Sequence, residues 1–273
     1  MTPRHAVFID FDGTLAEHGV APHEHADAVR AARAAGHAIL LCTGRPGSIV
    51  APEVAELFDG VISSAGAHVQ VEGEVLRDDR FPEPLARRAV ELLSGYGATF
   101  ALESPEALWC TPDSAARIRA RPIMPSRPGG YGRGTQDIID AVRVPEDLVS
   151  CSFAKISLWG SPIPVEQLAV ELGPDVGALP NSIASDDTAS GEIHLVTIDK
   201  ADGLRQAAAH LGIGLSETVG IGDGMNDLGM LRVAGTSIGI EGSRPEILAV
   251  SDFTVPRPAD LGILPAFERL GLI

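Results

Sequence analysis

Short, uninterrupted apolar runs alternate with helical stretches in two separated parts of this 273-residue chain. The pattern of the first part predicts, in order, a strand at 5–9, a helix near 24–35, a strand at 37–41, a helix near 48–58 and a strand at 60–63. Strands that are apolar throughout, rather than at alternate positions, are typical of a parallel sheet covered by helices on both faces. The chain is therefore predicted to contain a doubly wound α/β sheet.

The same pattern returns near the end of the chain. It predicts a helix at 201–211, a strand at 218–221, a helix at 225–234, a strand at 237–240 and a helix at 259–270. Between the two parts the sequence pattern is different. It predicts a helix after residue 82, strand-like runs at 98–103, 106–110 and 152–159, and a helix at 164–172. This change predicts an α+β unit inserted into the parallel-sheet domain, with limits at 1–81, 82–190 and 191–273.

Composition excludes several classes of protein. The chain is 45% hydrophobic with a formal net charge of -16, and a surface so negative repels nucleic acid and anionic membranes. No apolar run approaches the ~20 residues of a membrane helix, and the first residues lack the pattern of an export signal. Cys42, Cys110 and Cys151 are far apart and odd in number, which favours a reducing, cytoplasmic setting.

Two acids separated by one residue end the first predicted strand. In the stretch FIDFDGTL, Asp10 and Asp12 follow the apolar run from Ala6 to Ile9. A single acid near a glycine is ordinary turn chemistry. Side chains at i and i+2 of an extended segment, however, point to the same side, so these two carboxylates could converge and repel each other. The pair indicates a site for a metal ion or another positive group, with a simple strand-ending turn as the alternative.

Polar residues also follow two further predicted strands. Thr43, Gly44 and Arg45 come after the run that ends at Cys42, and the segment 222–227 (GDGMND) comes after the strand at 218–221. Open parallel sheets bind ligands at the carboxyl ends of their strands. Each segment has an ordinary alternative, since it could be a helix cap or a turn, and Lys200, before a predicted helix, could be a surface lysine. Their joint placement predicts one site.

Four segments carry a family resemblance: FIDFDGTL, LLCTGR, TIDKADG and GIGDGMNDLGML. In order and spacing they resemble the four motifs of the haloacid dehalogenase (HAD) superfamily of phosphohydrolases. The position of the insert after the second motif, with Gly191-Glu192-Ile193 leading into Lys200, is similar to the Cof-type subgroup with an α/β (type IIB) cap. The resemblance implies a Rossmann-like core sheet, an inserted α+β cap, Mg²⁺ as cofactor and a small phosphorylated metabolite as substrate.

The resemblance also implies roles for the acids at matching positions. Asp10 would be the nucleophile and would form an aspartyl-phosphate. Asp12 would protonate the leaving oxygen and then activate water, and its backbone carbonyl would bind the metal. Asp10 and Asp223 would complete the protein ligands of Mg²⁺, a cation that prefers oxygen donors.

The remaining motif residues would hold the phosphate or support the metal site. By the resemblance, the Thr43 hydroxyl, the Gly44 backbone N–H and the Lys200 ammonium would bind phosphoryl oxygens. Asn226 and Asp227 would orient the metal ligands or the metal's waters. Arg45 is expected to brace its loop rather than to bind phosphate.

Two positions leave substrate recognition open. Ala65 stands where the family commonly has an Asn after the third strand. Because an amide there could hydrogen-bond a ligand, its absence is expected to change substrate contacts more than phosphoryl chemistry. In the inserted unit, Lys155 lies in the predicted strand at 152–159. The pattern there is equally consistent with a side chain that faces the cleft and with one that faces outward.

We therefore expect a Mg²⁺-dependent phosphomonoester hydrolase of a small phosphorylated metabolite, with sugar phosphates as the leading class. Two alternatives stay open, a phosphosugar mutase and a non-catalytic protein that binds phosphorylated metabolites. A receiver-type signalling module also has an acidic Mg²⁺ site but does not explain the long insert. We expect a monomer or homodimer in the cytoplasm that binds neither nucleic acid nor membrane.

Overall fold

The computed structural model describes residues 4–123, 129–180 and 189–273, which form two sheets flanked by helices. The strands are β1 (Ala6–Ile9), β2 (Ala38–Cys42), β3 (Gly60–Ser63), β4 (His68–Val71), β5 (Glu74–Asp78), β6 (Thr99–Glu103), β7 (Leu108–Cys110), β8 (Val142–Arg143), β9 (Lys155–Gly160), β10 (Val176–Pro180), β11 (Gly191–Leu195), β12 (Thr218–Gly222), β13 (Thr236–Ile240) and β14 (Phe253–Val255). The helices are α1 (His23–Ala34), α2 (Pro52–Ala55), α3 (Glu83–Gly95), α4 (Pro112–Arg119), α5 (Thr135–Ala141), α6 (Val165–Leu172), α7 (Lys200–His210), α8 (Leu228–Val233), α9 (Pro245–Val250) and α10 (Ile263–Leu270). None of the helices in these ranges has the length and apolar character needed to cross a membrane.

The first sheet is the predicted doubly wound core. Its eight strands run in the order β14-β13-β12-β1-β2-β3-β4-β5. The pairs from β14 to β3 are parallel, and only the β3–β4 and β4–β5 pairs at one edge are antiparallel. The chain winds outward from β1 in both directions, so β1 and β12 meet where the strand order reverses.

Strand β1 shows why the core strands read as continuous apolar runs. Val7 and Ile9 pack on one face of the sheet with residues of α1 and α10, whereas Ala6 and Phe8 pack on the other face with residues of α7 and α8. All four side chains are fully buried. Both faces of the strand therefore require apolar residues, as a sheet between two helical layers does.

The second sheet belongs to the inserted unit, and its strands run in the order β10-β11-β9-β6-β7-β8. All of its pairs are antiparallel except β7–β8. One face, with Phe100, Ile156 and Ile193, packs in an apolar cluster with α3 and α6. The structure thus confirms the predicted fold class, a mainly parallel core sheet with a separate α+β cap.

Several predicted helix limits are wrong. The helix expected at 48–58 is reduced to α2 after a 3₁₀ turn at 47–49, because Pro52 has no N–H and cannot continue a helix begun before it. The helix expected at 225–234 begins as a 3₁₀ turn and is helical only from Leu228. The last helix starts at Ile263 rather than 259, since Leu261 adopts a left-handed φ of 60°.

Strand β11 changes the expected division of the chain. We expected residue 191 to begin the second core segment, yet β11 pairs with both β9 and β10 inside the cap sheet. The three-part division remains a prediction, and we propose that its second limit follows Leu195. The residue pattern of β11 could not show which sheet the strand joins, because that depends on the strands with which it pairs.

A strained loop after β3 generates a stability prediction. Ala65 has φ 57° and ψ 28°, a left-handed conformation that costs a residue with a Cβ about 1–2 kcal/mol. We expect Ala65→Gly to raise the free energy of unfolding by about 0.5–1 kcal/mol, since the strain relieved exceeds the added entropy of the unfolded chain. Urea unfolding measures this change. The matched variant Ala67→Gly, at φ −67°, should destabilise the protein, and equal shifts for both would contradict the argument.

Candidate active site

The candidate site lies where the strand order of the core sheet reverses. Asp10 follows β1 and Asp223 follows β12, and the two strands pair in register with Ile9 opposite Ile221. The Asp10 backbone N–H donates to the Ile221 carbonyl at 2.9 Å, which extends the pairing to the acid itself. Ligand sites of doubly wound sheets form at such reversal points.

Lys200 enters the site from the start of α7. The Asp199 side chain caps this helix by accepting the N–H of Ala201 at 2.6 Å, so Lys200 occupies the first helical turn. Its Nζ lies 2.6 Å from Asp10 Oδ1 and 2.6 Å from Asp227 Oδ1, and the side chain is 0% exposed. Burial lowers the pKa of Lys200, but the carboxylates of Asp10 and Asp227 raise it further, with a net upward shift. The ammonium therefore stays protonated.

Three carboxylates converge around this ammonium. One oxygen from each of Asp10, Asp223 and Asp227 lies within 4.8 Å of the others. Burial, followed by the charge of Asp227, raises the pKa of Asp10 well above its usual range. Burial and Asp227 also raise the pKa of Asp223 to about 6. Burial and mutual repulsion together thus outweigh the stabilisation that Lys200 gives to the ionised acids.

The charge and chemistry of this cluster fit a divalent cation. Three ionised carboxylates and one ammonium leave two negative charges. Carboxylate oxygens are the ligands of hard cations such as Mg²⁺, and a cation among them would offset the burial and the repulsion that raise both pKa values. The cluster therefore has the donor set of a site for a divalent cation.

The neighbouring loops hold the acids in place. Asp227 Oδ2 accepts the backbone N–H groups of Asp223 at 3.1 Å and Gly224 at 2.8 Å. The Thr14 hydroxyl donates to Asp223 Oδ1 at 2.7 Å, a contact that sequence reasoning missed because Thr14 gave no signal apart from its turn. Gly13 has φ 89°, and a Cβ there would lie 2.4 Å from Asp223 Oδ2. Only glycine fits this turn.

The Asp12 carboxylate lies outside the cluster of Asp10, Asp223 and Asp227 and pairs with Arg45. It accepts Arg45 Nε at 2.6 Å and Arg45 Nη2 at 2.8 Å, while the guanidinium lies over the Phe11 ring with 4.7 Å to its centroid. The strand ends at Ile9, so the rule for alternate residues in an extended segment no longer applies at Asp12. Arg45 therefore braces Asp12 and its own loop. Bracing the loop is the role that we expected of it.

Thr43 and Gly44 leave β2 at the same edge of the sheet. Ile9 pairs with Leu41, so Asp10 and Thr43 follow neighbouring strands. Thr43 is buried, and its Oγ1 accepts the Arg45 N–H at 3.1 Å, which leaves the hydroxyl hydrogen to be donated elsewhere. Asn226 reaches the same loop, since a Cβ on Gly44 would lie 3.0 Å from its Nδ2.

Lys155 connects the cap to this loop. Its Nζ donates to the Gly44 carbonyl at 2.8 Å, and the residue is 2% exposed. The side chain thus faces the core, one of the two orientations left open by the sequence. No local pattern could decide between them, because the answer depends on how the cap docks.

Comparison with known proteins places the chain among homologues of matching length. YkrA and YxeH of Bacillus subtilis (strain 168), both with provisional phosphatase names, are 25% and 26% identical to it. YkrA aligns over 98% of this chain and 98% of its own, and YxeH over 97% and 98%.

Solved structures and a family model agree with the predicted resemblance. BT1666 of Bacteroides thetaiotaomicron, described among phosphatases of the HAD superfamily, superposes with a TM-score of 0.75 at 24% identity, over 99% of this chain and 96% of its own. BT4131, described as a subclass IIB sugar phosphatase, gives 0.76 at 22% identity, over 98% and 100%. The model of haloacid dehalogenase-like hydrolases matches residues 7–267. The chain therefore belongs to the haloacid dehalogenase-like hydrolase family, and its fold is similar to that of the solved subclass IIB structure in both core and cap.

Proposed function

We propose that this protein is a Mg²⁺-dependent phosphomonoester hydrolase of a small phosphorylated metabolite, with sugar phosphates as the leading class. The observation that carries the proposal is the contact of Lys200 with Asp10 and Asp227 beside Asp223, at the reversal point of the core sheet. The phosphatase names of YkrA and YxeH and the sugar phosphatase BT4131 support the same reaction class.

In the first step, an Asp10 carboxylate oxygen attacks the phosphorus of the monoester. The bond from phosphorus to the alcohol oxygen breaks, and this oxygen takes a proton from Asp12. The products are an aspartyl-phosphate and the free alcohol. Lys200, the Thr43 hydroxyl and the Gly44 N–H hold the phosphoryl oxygens during the transfer.

In the second step, water replaces Asp10 on the phosphorus. Asp12, now ionised, takes a proton from the water as its oxygen attacks. The bond from phosphorus to Asp10 breaks, which releases inorganic phosphate and restores the Asp10 carboxylate. Arg45 orients the ionised Asp12 of this second step through its paired hydrogen bonds.

Asp10, Asp223 and the backbone carbonyl of Asp12 would hold Mg²⁺, with Asp227 and Asn226 as supports. When bound, the ion supplies positive charge that reduces the repulsion between a carboxylate nucleophile and a phosphate dianion. Asp227 is suited to a supporting role, since its two oxygens already accept from Lys200 and from the backbone of the 223–224 loop.

We also propose a cytoplasmic location. Cys42 and Cys110 are buried free thiols, and Cys151 is a partly buried one. Burial raises the pKa of the Cys42 and Cys110 thiols, which keeps them unreactive. Unpaired cysteines of this kind suit a reducing compartment.

The Asp10→Asn variant tests the nucleophile. We expect it to lower the rate of phosphate release by at least about a thousandfold, because an amide cannot form the aspartyl-phosphate. Phosphate release from a panel of phosphorylated sugars and 4-nitrophenyl phosphate measures the effect. With the wild type, EDTA should abolish turnover and added Mg²⁺ should restore it.

The exposed Asp175→Asn provides the control with the same chemical change, and it should keep wild-type turnover. Undiminished phosphate release by Asp10→Asn would refute the proposed nucleophile. A wild type that releases no phosphate from any substrate would refute hydrolysis as the function.

The Arg45→Lys variant tests how Asp12 is oriented. Lysine keeps the charge but cannot make the paired hydrogen bonds of a guanidinium, so we expect kcat to fall about tenfold with little change in KM. Steady-state kinetics on 4-nitrophenyl phosphate separate the two constants. Arg33→Lys, at the remote ion pair with Asp59, is the matched control. A raised KM with unchanged kcat would instead mean that Arg45 binds substrate.

A further inference from the structure

One face of the cap sheet carries a row of polar side chains. The register places Glu103 opposite Lys155, Lys155 opposite His194, and Ser157 opposite Glu192. Residues directly opposite each other in an antiparallel pair, and their neighbours two positions along, lie on the same face. The other face is apolar and covered by α3 and α6. The polar face is therefore turned away from the cap helices.

Each N–H group of the Lys155 ammonium, at the centre of this face, already has an acceptor. Its Nζ lies 2.8 Å from the Gly44 carbonyl, 2.9 Å from Glu192 Oε1 and 3.2 Å from Glu103 Oε2. An ammonium has three N–H groups, and these three oxygens account for all of them. Lys155 is thus occupied in joining the cap to the core.

The two carboxylates, by contrast, keep acceptor capacity. Apart from its ion pair with Lys155, Glu103 Oε2 has no hydrogen-bond partner in the described part of the chain, although Glu103 is only 4% exposed. Its other oxygen accepts from the Ser157 hydroxyl. The Glu192 side chain is 34% exposed. Two carboxylates against one ammonium give Glu103, Glu192 and Lys155 one excess negative charge when both acids are ionised. Burial raises the pKa of Glu103, so this excess charge develops only above that pKa.

This face adjoins the segment that we propose binds the phosphoryl group. A Cβ on Gly44 would lie 4.0 Å from Lys155 Nζ and 3.0 Å from Asn226 Nδ2. Lys155 therefore brings the polar face of the cap against the loop that we propose binds the phosphoryl group. Free acceptors bind hydroxyl hydrogens there, whereas a second anion meets the excess negative charge.

We propose that Glu103 and Glu192 select the alcohol part of the substrate, accepting hydrogen bonds from neutral, hydroxyl-rich groups and excluding those that carry a second anion. The inference rests on the proposed phosphatase function and narrows it to monoesters of sugars and polyols. Phosphorylated carboxylic acids and bisphosphates are excluded. Since a phosphomutase needs a bisphosphate activator, the same charge disfavours that alternative.

A matched pair of substrates tests the selection. Glucitol 6-phosphate and 6-phosphogluconate have the same chain and differ in a terminal hydroxymethyl or carboxylate group. We expect the wild type to have a higher kcat/KM for the polyol ester, and Glu103→Gln and Glu192→Gln each to shift the ratio about tenfold toward the acid, since each removes one charge. The ratio of the two kcat/KM values is measured on the same variant, so a general loss of catalysis lowers both values and leaves the ratio unchanged.

Glu166→Gln removes the same charge from an exposed position on the outer helix α6 and should leave the ratio unchanged. Turnover of 4-nitrophenyl phosphate reports separately on phosphatase activity. If the wild type hydrolyses this ester but does not discriminate between the matched pair, or if neither glutamine variant shifts the ratio, the selection is refuted. If the wild type hydrolyses none of the three, the phosphatase function itself is refuted.

Discussion

The site depends on one buried charge, the ammonium of Lys200. A cation removed from water is tolerated only with close anionic partners, and breaking such a buried pair costs about 3–5 kcal/mol. The partners are Asp10, 190 residues earlier in the chain, and Asp227, 27 residues later. The two separated parts of the core must therefore meet at this point, and the pairing of β1 with β12 brings them there.

Two clusters of similar composition lie in the core and in the cap. In the core, Lys200 lies among Asp10, Asp223 and Asp227, and in the cap a single lysine lies between two glutamates. Both have more negative than positive charge, but they suit different ligands. The core cluster has the oxygen donors for a divalent cation and thereby for a phosphate dianion, whereas the cap cluster offers acceptors to hydroxyl groups. The hydrogen bond from Lys155 to Gly44 joins them.

Much of the core could be predicted from short sequence patterns. The strands before Asp10 and Thr43 were predicted within about one residue, because both of their faces are buried and the sequence is apolar throughout. The edge hairpin of β4 and β5 has no such run, since its exposed residues include Glu74 and Val75. The pairing of Asp12 with Arg45, outside the cluster of the other three acids, could not be predicted from alternation, because β1 ends at Ile9.

The sequence by itself determined the central strands β1, β2, β3, β12 and β13 of the core, the insertion of a second unit, and which acids, hydroxyls and lysines stand at the ends of the strands. These properties follow from local periodicity and turn chemistry. Only the tertiary structure decided that Arg45 holds Asp12, 33 residues away, and that Lys155 reaches Gly44, 111 residues away. Such contacts depend on strand register and on the docking of the cap, which bring together residues that no local pattern relates.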